Sequence, residues 1–460
     1  MLFSSIPFLY YFLPVVLILY FISPRQLKNT VLLLTSLFFY GWGEPKYLFL
    51  MMATILTFYF CGLAMGKSRT QTWKKVWLIV SIVIGLGLLG VFKYADFFIG
   101  SFNAVTGLSV SFLRLALPIG ISFYTFQSLS YTIDVYRGNV EVQKNPITFG
   151  AYVVLFPQLI AGPIVRYVDV AQELNHRTHS WENFSLGLRR FLIGLGKKIL
   201  LANQFGQLVN LFRSSGEKSL LFYWIYGAAF MMQIYFDFSG YSDMAIGLGR
   251  IFGFHFIENF NYPYLSKSVS EFWRRWHMSL GSWFRDYVYI PLGGNRVSRG
   301  RWVFNILVVW MLTGLWHGAS WNFVLWGLLF ALLLMAEKFI PMEKLPGAVR
   351  HVYVLLAVLF SFVLFNAADL TQAGQDFLGL LGLGGVPAVT AESVYYLKSY
   401  GILFLVGIVG ATPLARNWAK KYENTTWMAV IEPVFLLGML LLCTAYLVDG
   451  SFNPFLYFRF

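Results

Sequence analysis

The sequence is short of charged residues, and this shortage decides the class of protein. Of its 460 residues, 12% are charged and 58% are hydrophobic, whereas a soluble globular domain has about 25% charged residues. Such a chain cannot cover its apolar surface with polar groups, so lipid must cover it. At ~20 residues per crossing plus connections, the length allows roughly ten to twelve transmembrane helices. We therefore predict an all-α polytopic integral membrane protein.

Several chemical signatures are also missing. The two cysteines, Cys61 and Cys443, lie in apolar runs, so they predict neither a disulfide framework nor a metal site. The sequence contains no HExxH motif, Walker loop or dinucleotide fingerprint, and we expect no tightly bound cofactor. The formal net charge of +14 would suggest nucleic acid in a soluble protein. In a membrane protein it is typical of basic cytoplasmic loops, so we expect no nucleic-acid partner.

Apolar runs predict where the chain crosses the membrane. The predicted spans are about residues 5–23, 29–42, 46–65, 75–93, 112–134, 302–336, 351–368, 400–414 and 428–447. The first run has no basic n-region and no cleavage site, so we interpret it as a retained span. Basic residues in the predicted loops place both termini outside; these are Lys67, Arg69, Lys74, Lys75, Arg416, Lys420 and Lys421. We find no internal repeat, and one domain is the simplest prediction.

Three segments depart from simple hydropathy. Residues 147–165 contain FPQLIAGP, whose prolines break a helix, and basic residues on both sides indicate a re-entrant segment rather than a span. Irregular backbone at membrane depth is tolerated only inside protein or beside a water-filled cavity, so we expect an interior cavity. Residues 186–200 predict an interfacial basic helix, and residues 219–254 predict an embedded segment that carries acidic residues.

His317 is the first candidate for chemistry. The chain has no charged residue from Trp302 to Met335, a run longer than the ~20 residues of one crossing. We predict a broken element or a tight helical hairpin there, with the break marked by Gly314 and Gly318. An ionisable residue at that depth usually faces a cavity and has a function. The alternative is a buried histidine that is hydrogen-bonded between helices. Neutral imidazole can take the proton of a hydroxyl near neutral pH.

The second candidate is the aromatic and basic segment 271–296. His277 follows Arg274 by three residues, so on one helix the two would share a face. Arginine suits phosphate groups, and the functional interpretation is a cytoplasmic docking site for a phosphorylated donor. The predicted donor-binding residues are Arg274, Arg275, Arg285, Lys197 and Lys198. The alternative is an ordinary interfacial belt of Trp, Tyr and Arg.

Polar residues within the embedded segments form the third candidate. Asp237 and Asp243 are about 600° apart on an α-helix, or roughly 120° off one face, which argues against a carboxylate dyad. We expect each to pair with a nearby arginine, and Asp243 could cap a helix that starts after Gly240. Together with Asn322, they are predicted to be cavity-lining or structural polar residues.

Two long motifs carry a resemblance to a known family. WRRWHMSLGSWFRDYVYIPLGGNR, followed by LTGLWHGASWNFVLWG, resembles the membrane-bound O-acyltransferase family, in particular its bacterial alginate O-acetyltransferase branch. YFDFSGYSDMAIG, PIGISFYTFQSLSY and FPQLIAGPIVR also look like that branch. The likeness runs from the N-terminus to about residue 370, with core motifs at 118–336 and peripheral spans at 351–447.

The resemblance implies a fold and an activity. It implies tilted helices around a central funnel or tunnel in a bacterial plasma membrane, with the invariant family histidine at His317 and a second position at His277. The implied donor is cytoplasmic acetyl-CoA. The acetyl group would pass toward an exported polysaccharide, often with a separate extracytoplasmic acyltransferase. Two alternatives stay open: D-alanyl transfer to teichoic acid from a carrier protein, and a glycan or lipid transporter, although transporters commonly contain repeats.

Overall fold

The computed structural model describes residues 1–159, 162–450 and 455–456, and these residues form helices and no β-strand. The prediction of an all-α membrane protein is therefore confirmed. In chain order the α-helices are α1 (Leu13–Ile22), α2 (Lys28–Gly43), α3 (Leu48–Lys67), α4 (Gln71–Leu89), α5 (Ala95–Thr106), α6 (Ile121–Arg137), α7 (Pro146–Val154), α8 (Tyr167–Asn175), α9 (Trp181–Gly196), α10 (Asn203–Ser214), α11 (Leu220–Ile251), α12 (Val269–Arg275), α13 (Met278–Phe284), α14 (Arg299–His317), α15 (Trp321–Phe339), α16 (Gly347–Asn366), α17 (Leu370–Leu380), α18 (Ala391–Gly410), α19 (Leu414–Tyr422) and α20 (Thr426–Asp449).

Six helical segments of the described chain are long and apolar enough to cross a membrane. They are Leu48–Lys67, Gln71–Thr106, Trp321–Phe339, Gly347–Asn366, Ala391–Gly410 and Thr426–Asp449. A shorter apolar helix occupies Phe8–Ile22. The chain is thus a multi-pass membrane protein, and the larger predicted number of ten to twelve spans stays a prediction.

The chain packs into two compact units. Unit 1 consists of residues 1–191 and 241–257, and unit 2 consists of residues 192–240 and 258–460. Helices α9 and α11 each contribute residues to both units. The prediction of one domain, with core motifs at 118–336 and peripheral spans at 351–447, stays a prediction.

Unit 1 contains the proline-broken segment. Helix α7 ends at Val154, and the backbone then leaves the helical region at Leu155. The Phe156 N–H donates to Ser36 Oγ at 3.1 Å, which satisfies a backbone group that the break releases. The predicted helix break is confirmed. The predicted span just before this segment, at about residues 112–134, starts too early, because residues 107–120 are not helical.

The late start of α6 has a local cause. Pro118 has no N–H to continue a helix, and Gly120 adopts φ 75°, a left-handed conformation that only glycine adopts at little cost. Helix α6 therefore begins at Ile121 rather than near residue 112. It buries almost its whole length, including the polar side chains of Gln127 and Thr132.

Unit 2 is built around aromatic side chains. Its core includes Trp276, Trp326, Phe330, Phe362 and Phe365, all at most 2% exposed. Helices α15 and α16 pack against each other, and α12 packs against both. Within this core α14 and α15 form a tight antiparallel pair. The predicted hairpin in the 302–336 run is therefore confirmed.

Candidate functional site

Glycines let the two helices of the hairpin approach closely. A Cβ atom at Gly314 would lie 2.2 Å from the Phe323 carbonyl oxygen, and one at Gly327 would lie 2.2 Å from the Trp310 carbonyl oxygen. Real Cβ atoms do not come this close to backbone oxygens, so both positions require glycine. Helix α14 runs through Gly314 without interruption, and the break falls at Gly318, where φ is −173°. The predicted break is thus correct for Gly318 and wrong for Gly314.

His317 is the last residue of α14, and its side chain is buried. Its imidazole is surrounded by aromatic rings, with centroid distances of 5.0 Å to Trp316, 5.0 Å to Trp326 and 5.4 Å to Phe365. These three rings come from α14, α15 and α16. These rings pack around the imidazole and shield its flanks from water.

His277 lies in a short connection between two helices. Helix α12 ends at Arg275, Trp276 is extended, and His277 adopts φ 43°, after which α13 begins at Met278. A left-handed backbone at a residue other than glycine costs of order 1–3 kcal/mol and persists only where the surroundings fix it. The prediction that Arg274 and His277 share a helix face is wrong, because the helix ends between them. Arg274 is exposed, whereas His277 is 1% exposed.

Asn259 holds the His277 ring in one orientation. Its side-chain oxygen accepts hydrogen bonds from His277 Nδ1 at 3.1 Å, from Ser279 Oγ at 2.8 Å and from the Ser279 backbone N–H at 3.2 Å. The backbone of Asn259 also accepts from the Met278 N–H at 3.0 Å. Because the amide oxygen can only accept, this network assigns the proton to Nδ1 and the lone pair to Nε2.

Burial also affects the charge of His277, which lies outside the six apolar spans. Loss of hydration lowers the pKa of its imidazole to about 3. The ring is therefore neutral at physiological pH and presents an acceptor nitrogen. A neutral imidazole with a fixed tautomer can accept one proton or one hydrogen bond at Nε2.

The two predicted histidines lie close together in unit 2. The ring centroids of His277 and His317 are 6.4 Å apart, and Trp316 contacts both rings. Phe238 of α11 covers His277 from another side, at 4.6 Å between centroids. Two imidazoles at this spacing can contact the same small chemical group. Their catalytic roles stay predictions.

The predicted donor-binding residues have different surroundings. Arg275 pairs with Glu271 at 2.9 Å, and Arg285 pairs with its neighbour Asp286 at 2.7 Å. Arg274 and Arg285 are exposed and Lys197 is partly buried. Lys198 is different, because it is 2% exposed and its ammonium pairs with Asp237 at 2.5 Å. Burial in this ion pair argues against Lys198 as a phosphate-binding residue.

The embedded acids behave as structural residues within their own units. In unit 1, Asp243 accepts hydrogen bonds from Arg190 at 2.9 and 3.1 Å, so the predicted arginine pairing is confirmed there. In unit 2, the expected arginine partner of Asp237 is wrong, since its partner is Lys198. Helix α11 is continuous through both positions. The suggested helix start at Asp243 is therefore also wrong.

Asn322 is the last of the predicted site residues. Asn322 is buried, and its amide donates to the Ala367 carbonyl at 2.9 Å, which ties the start of α15 to the end of α16. Among the residues that the structure describes, no group of three or more His, Cys, Asp or Glu side chains could hold a metal ion. The absence of a metal cofactor stays a prediction.

Sequence reasoning missed Asn259, Ser279 and Phe238. Asn259 is 18 positions from His277 along the chain, and it stands in an unremarkable aromatic stretch. Only the turn that brings the two segments together makes it a partner. Ser279 could have been noticed as a polar neighbour two residues after His277, but its shared acceptor could not.

Comparison with known proteins places these residues in a family context. Residues 140–365 match the model of the membrane-bound O-acyltransferase family. A probable alginate O-acetylase of Azotobacter vinelandii is 42% identical over the full length of both chains. The peptidoglycan O-acetyltransferase of Helicobacter pylori is 35% identical over 100% of this chain and 98% of its own. The teichoic acid D-alanyltransferase of Bacillus subtilis is 29% identical over 54% of this chain and 67% of its own.

Proposed function

Because this chain belongs to the membrane-bound O-acyltransferase family, and is an O-acyltransferase, we propose that it transfers acetyl groups from cytoplasmic acetyl-CoA toward an exported polysaccharide. Two relatives that match along essentially their whole length are named for O-acetylation, of alginate and of peptidoglycan. The relative named for D-alanyl transfer matches only 54% of this chain. This difference favours an acetyl donor over an aminoacyl carrier protein.

The pair of buried histidines supports the chemistry. In the proposed step, His317 takes the proton from an acceptor hydroxyl, and the oxygen attacks the thioester carbonyl carbon. The carbon–oxygen bond forms, the carbon–sulfur bond breaks, and the thiolate leaves with the electron pair. The proton on His317 then passes to the thiolate, which restores the neutral imidazole. The products are an acetyl ester and coenzyme A.

His277 supports the same step from the other side of the reacting group. Its Nδ1 proton is donated to Asn259, so Nε2 carries the lone pair that can accept a hydrogen bond from a reacting group. In our proposal Nε2 accepts a hydrogen bond from the acceptor hydroxyl and orients it for His317. The 6.4 Å between the two ring centroids suits one small group held between them.

The remaining parts of the proposal concern binding and orientation. We propose that donor phosphates from the cytoplasm contact the basic residues Arg274, Arg275, Arg285 and Lys197. The buried Lys198 is not part of this proposed site. Basic loops favour a bacterial inner-membrane location with both termini outside. We also propose that no cofactor is tightly bound, and that a separate extracytoplasmic acyltransferase receives the acetyl group before it reaches the polysaccharide.

The test of this function expresses the His317→Ala variant in a strain from which the gene for this protein has been deleted. Acetyl esters on the exported polysaccharide should fall to the level of the deletion strain, while the protein still reaches the membrane fraction. His176→Ala is the matched control, because His176 is exposed in unit 1. Normal acetylation by His317→Ala would contradict the proposal.

A second experiment identifies the donor. Membranes that contain the protein are incubated with labelled acetyl-CoA or with a labelled D-alanyl carrier protein. Label should transfer from acetyl-CoA alone, and transfer from the carrier protein alone would replace acetyl-CoA as the donor. Movement of a glycan across liposomes without thioester consumption would instead indicate a transporter.

A further inference from the structure

A polar cleft of about 520 Å³ opens in unit 2, and neither of the two histidines lines it. It lies at the start of α14 and the end of α15, whereas His317 lies at the other end of this hairpin. The 19 residues of α14 span about 28 Å. The cleft is lined by charged and aromatic side chains, among them Lys267, Glu271, Tyr289, Trp302, Glu337, Lys338, Glu343 and Arg350.

Two of the cleft carboxylates already have partners. Glu337 accepts from the backbone N–H groups of Val269 and Ser270 at 2.5 and 3.0 Å, and from Ser270 Oγ at 2.8 Å. Glu337 therefore provides the acceptor for backbone N–H groups in the first turn of α12, which have no partner within the helix. Glu271 accepts from the Lys267 N–H at 2.9 Å and pairs with Arg275. Among the described residues, neither of these carboxylates forms an ion pair with a cleft cation, and the third cleft carboxylate, Glu343, is exposed to solvent.

The cleft cations lack carboxylate partners. Within the described part of the chain, none of Lys267, Lys338 and Arg350 takes part in an ion pair. Arg350 Nε is buried and has no hydrogen-bond partner among the described residues. Lys338 Nζ lies 4.2 Å from the centroid of the Trp302 ring. A cleft with three cations and an unsatisfied guanidinium donor suits an anion, and guanidinium suits phosphate in particular.

The surroundings of the cleft indicate which phosphate it takes. The apolar spans α15 and α16 end and begin beside it, and the adjoining Phe339, Ile340 and Val349 are at least half exposed. Such apolar side chains at a span end face acyl chains, while Trp302 and Tyr289 are typical of the membrane–water boundary. Basic pockets between transmembrane helices on the cytoplasmic side bind anionic headgroups.

We propose that this cleft binds the phosphodiester headgroup of an anionic phospholipid from the cytoplasmic leaflet, with Arg350, Lys267 and Lys338 around the phosphate. The phosphates of a nucleotide-containing donor share this chemistry. The exposed apolar rim and the distance from His317 favour the lipid. This lipid site goes beyond acyl transfer and does not depend on it.

Native mass spectrometry of the purified full-length protein tests the site. Phosphatidylglycerol and phosphatidylcholine are titrated against the wild type and the triple variant Lys267→Gln, Lys338→Gln, Arg350→Gln. Each lost charge should weaken phosphatidylglycerol binding about five-fold, which corresponds to about 1 kcal/mol per basic residue near a membrane surface. The matched control is Arg416→Gln, Lys420→Gln, Lys421→Gln, which removes three exposed charges from α19 and should keep the preference for phosphatidylglycerol.

Two further arms decide between the sources of phosphate and guard against misfolding. Arg350→Lys keeps the charge and should retain most of the lipid binding, which separates loss of the site from loss of the fold. Coenzyme A is added to the wild type and to the triple variant. The lipid proposal is overturned if the triple variant binds phosphatidylglycerol like the wild type. It is also overturned if coenzyme A, rather than phosphatidylglycerol, loses binding in that variant.

Discussion

Substitution of Gly327 by alanine tests whether the close approach of α14 and α15 positions His317. The alanine Cβ would lie 2.2 Å from the Trp310 carbonyl oxygen and 3.2 Å from the Gly314 nitrogen. Ordinary van der Waals contact begins near 3.4 Å, so the two helices must separate by about 1 Å to accept one methyl group. Neither atom belongs to a flexible side chain that could move away, and the backbone itself must shift.

The expected cost follows from this displacement. Overpacking a well-packed interior costs about 1–3 kcal/mol, which the gain in helix propensity from Gly to Ala, about 1 kcal/mol, only partly offsets. The shift also moves His317, which terminates the displaced helix. A misplacement of about 1 Å at a reacting group can lower a rate about 100-fold. We therefore expect a moderate loss of stability and a much larger loss of acetyl transfer.

The assay compares Gly327→Ala with Gly438→Ala. Gly438 lies in the middle of α20, and a Cβ there would meet nothing within 4 Å. Both variants are assayed for polysaccharide acetyl esters per unit of membrane-inserted protein, and for the midpoint of thermal unfolding in detergent. Gly438→Ala should behave like the wild type. If Gly327→Ala retains full activity and stability, the argument that hairpin spacing sets the position of His317 is refuted.

Three more predictions concern the polar residues of unit 2. Asn259→Leu removes the acceptor shared by His277 and Ser279, which should cost about 1–3 kcal/mol of stability and most of the acetyl transfer. Asn259→Asp keeps an acceptor oxygen and should retain more acetyl transfer. An equal loss of transfer in both variants would contradict a positioning role for Asn259. Lys198→Met leaves Asp237 buried without its cation, at a cost of about 3–5 kcal/mol. The double variant Lys198→Met with Asp237→Leu should recover much of the lost thermal midpoint. No recovery would mean that the unpaired carboxylate is not the cause of the lost stability. Burial lowers the pKa of His277 to about 3, so below about pH 6.5 the unfolded chain binds a proton that the folded chain does not. The free energy of unfolding is therefore greatest above that pH and declines as the pH falls toward 3. The variant His277→Asn should flatten this decline in thermal midpoints measured from pH 8 to 5, and an unchanged slope would exclude His277 as its source.

Much of this protein is determined by the order of its residues. The low charge fraction excludes a soluble fold, because too few polar groups exist to cover the surface, and this conclusion needs no structure. The helix break near residue 155 follows from proline chemistry, and the break at Gly318 follows from a run too long for one crossing. His317 could be singled out because an ionisable group is costly in an apolar run.

Other features depend on contacts between distant segments and were therefore beyond prediction from one sequence. Gly314 looked like a break, yet it is a contact point, because the difference depends on what faces it across the hairpin. Lys198 looked like a phosphate ligand until its burial against Asp237 was known. The three-residue spacing of Arg274 and His277 predicted a shared helix face, but the helix ends at Arg275.

The candidate site shows the same division. The sequence by itself singled out His317, since the energetic cost of an ionisable group in an apolar run is local and can be judged from residue type. It singled out His277 through the aromatic and basic motif around it and the family resemblance of that motif. Only the tertiary structure decided that their rings lie 6.4 Å apart, that Asn259 fixes the proton on one of them, and that glycines set the spacing behind the other. These depend on close packing between segments, and packing is a property of the folded arrangement rather than of any one stretch of chain.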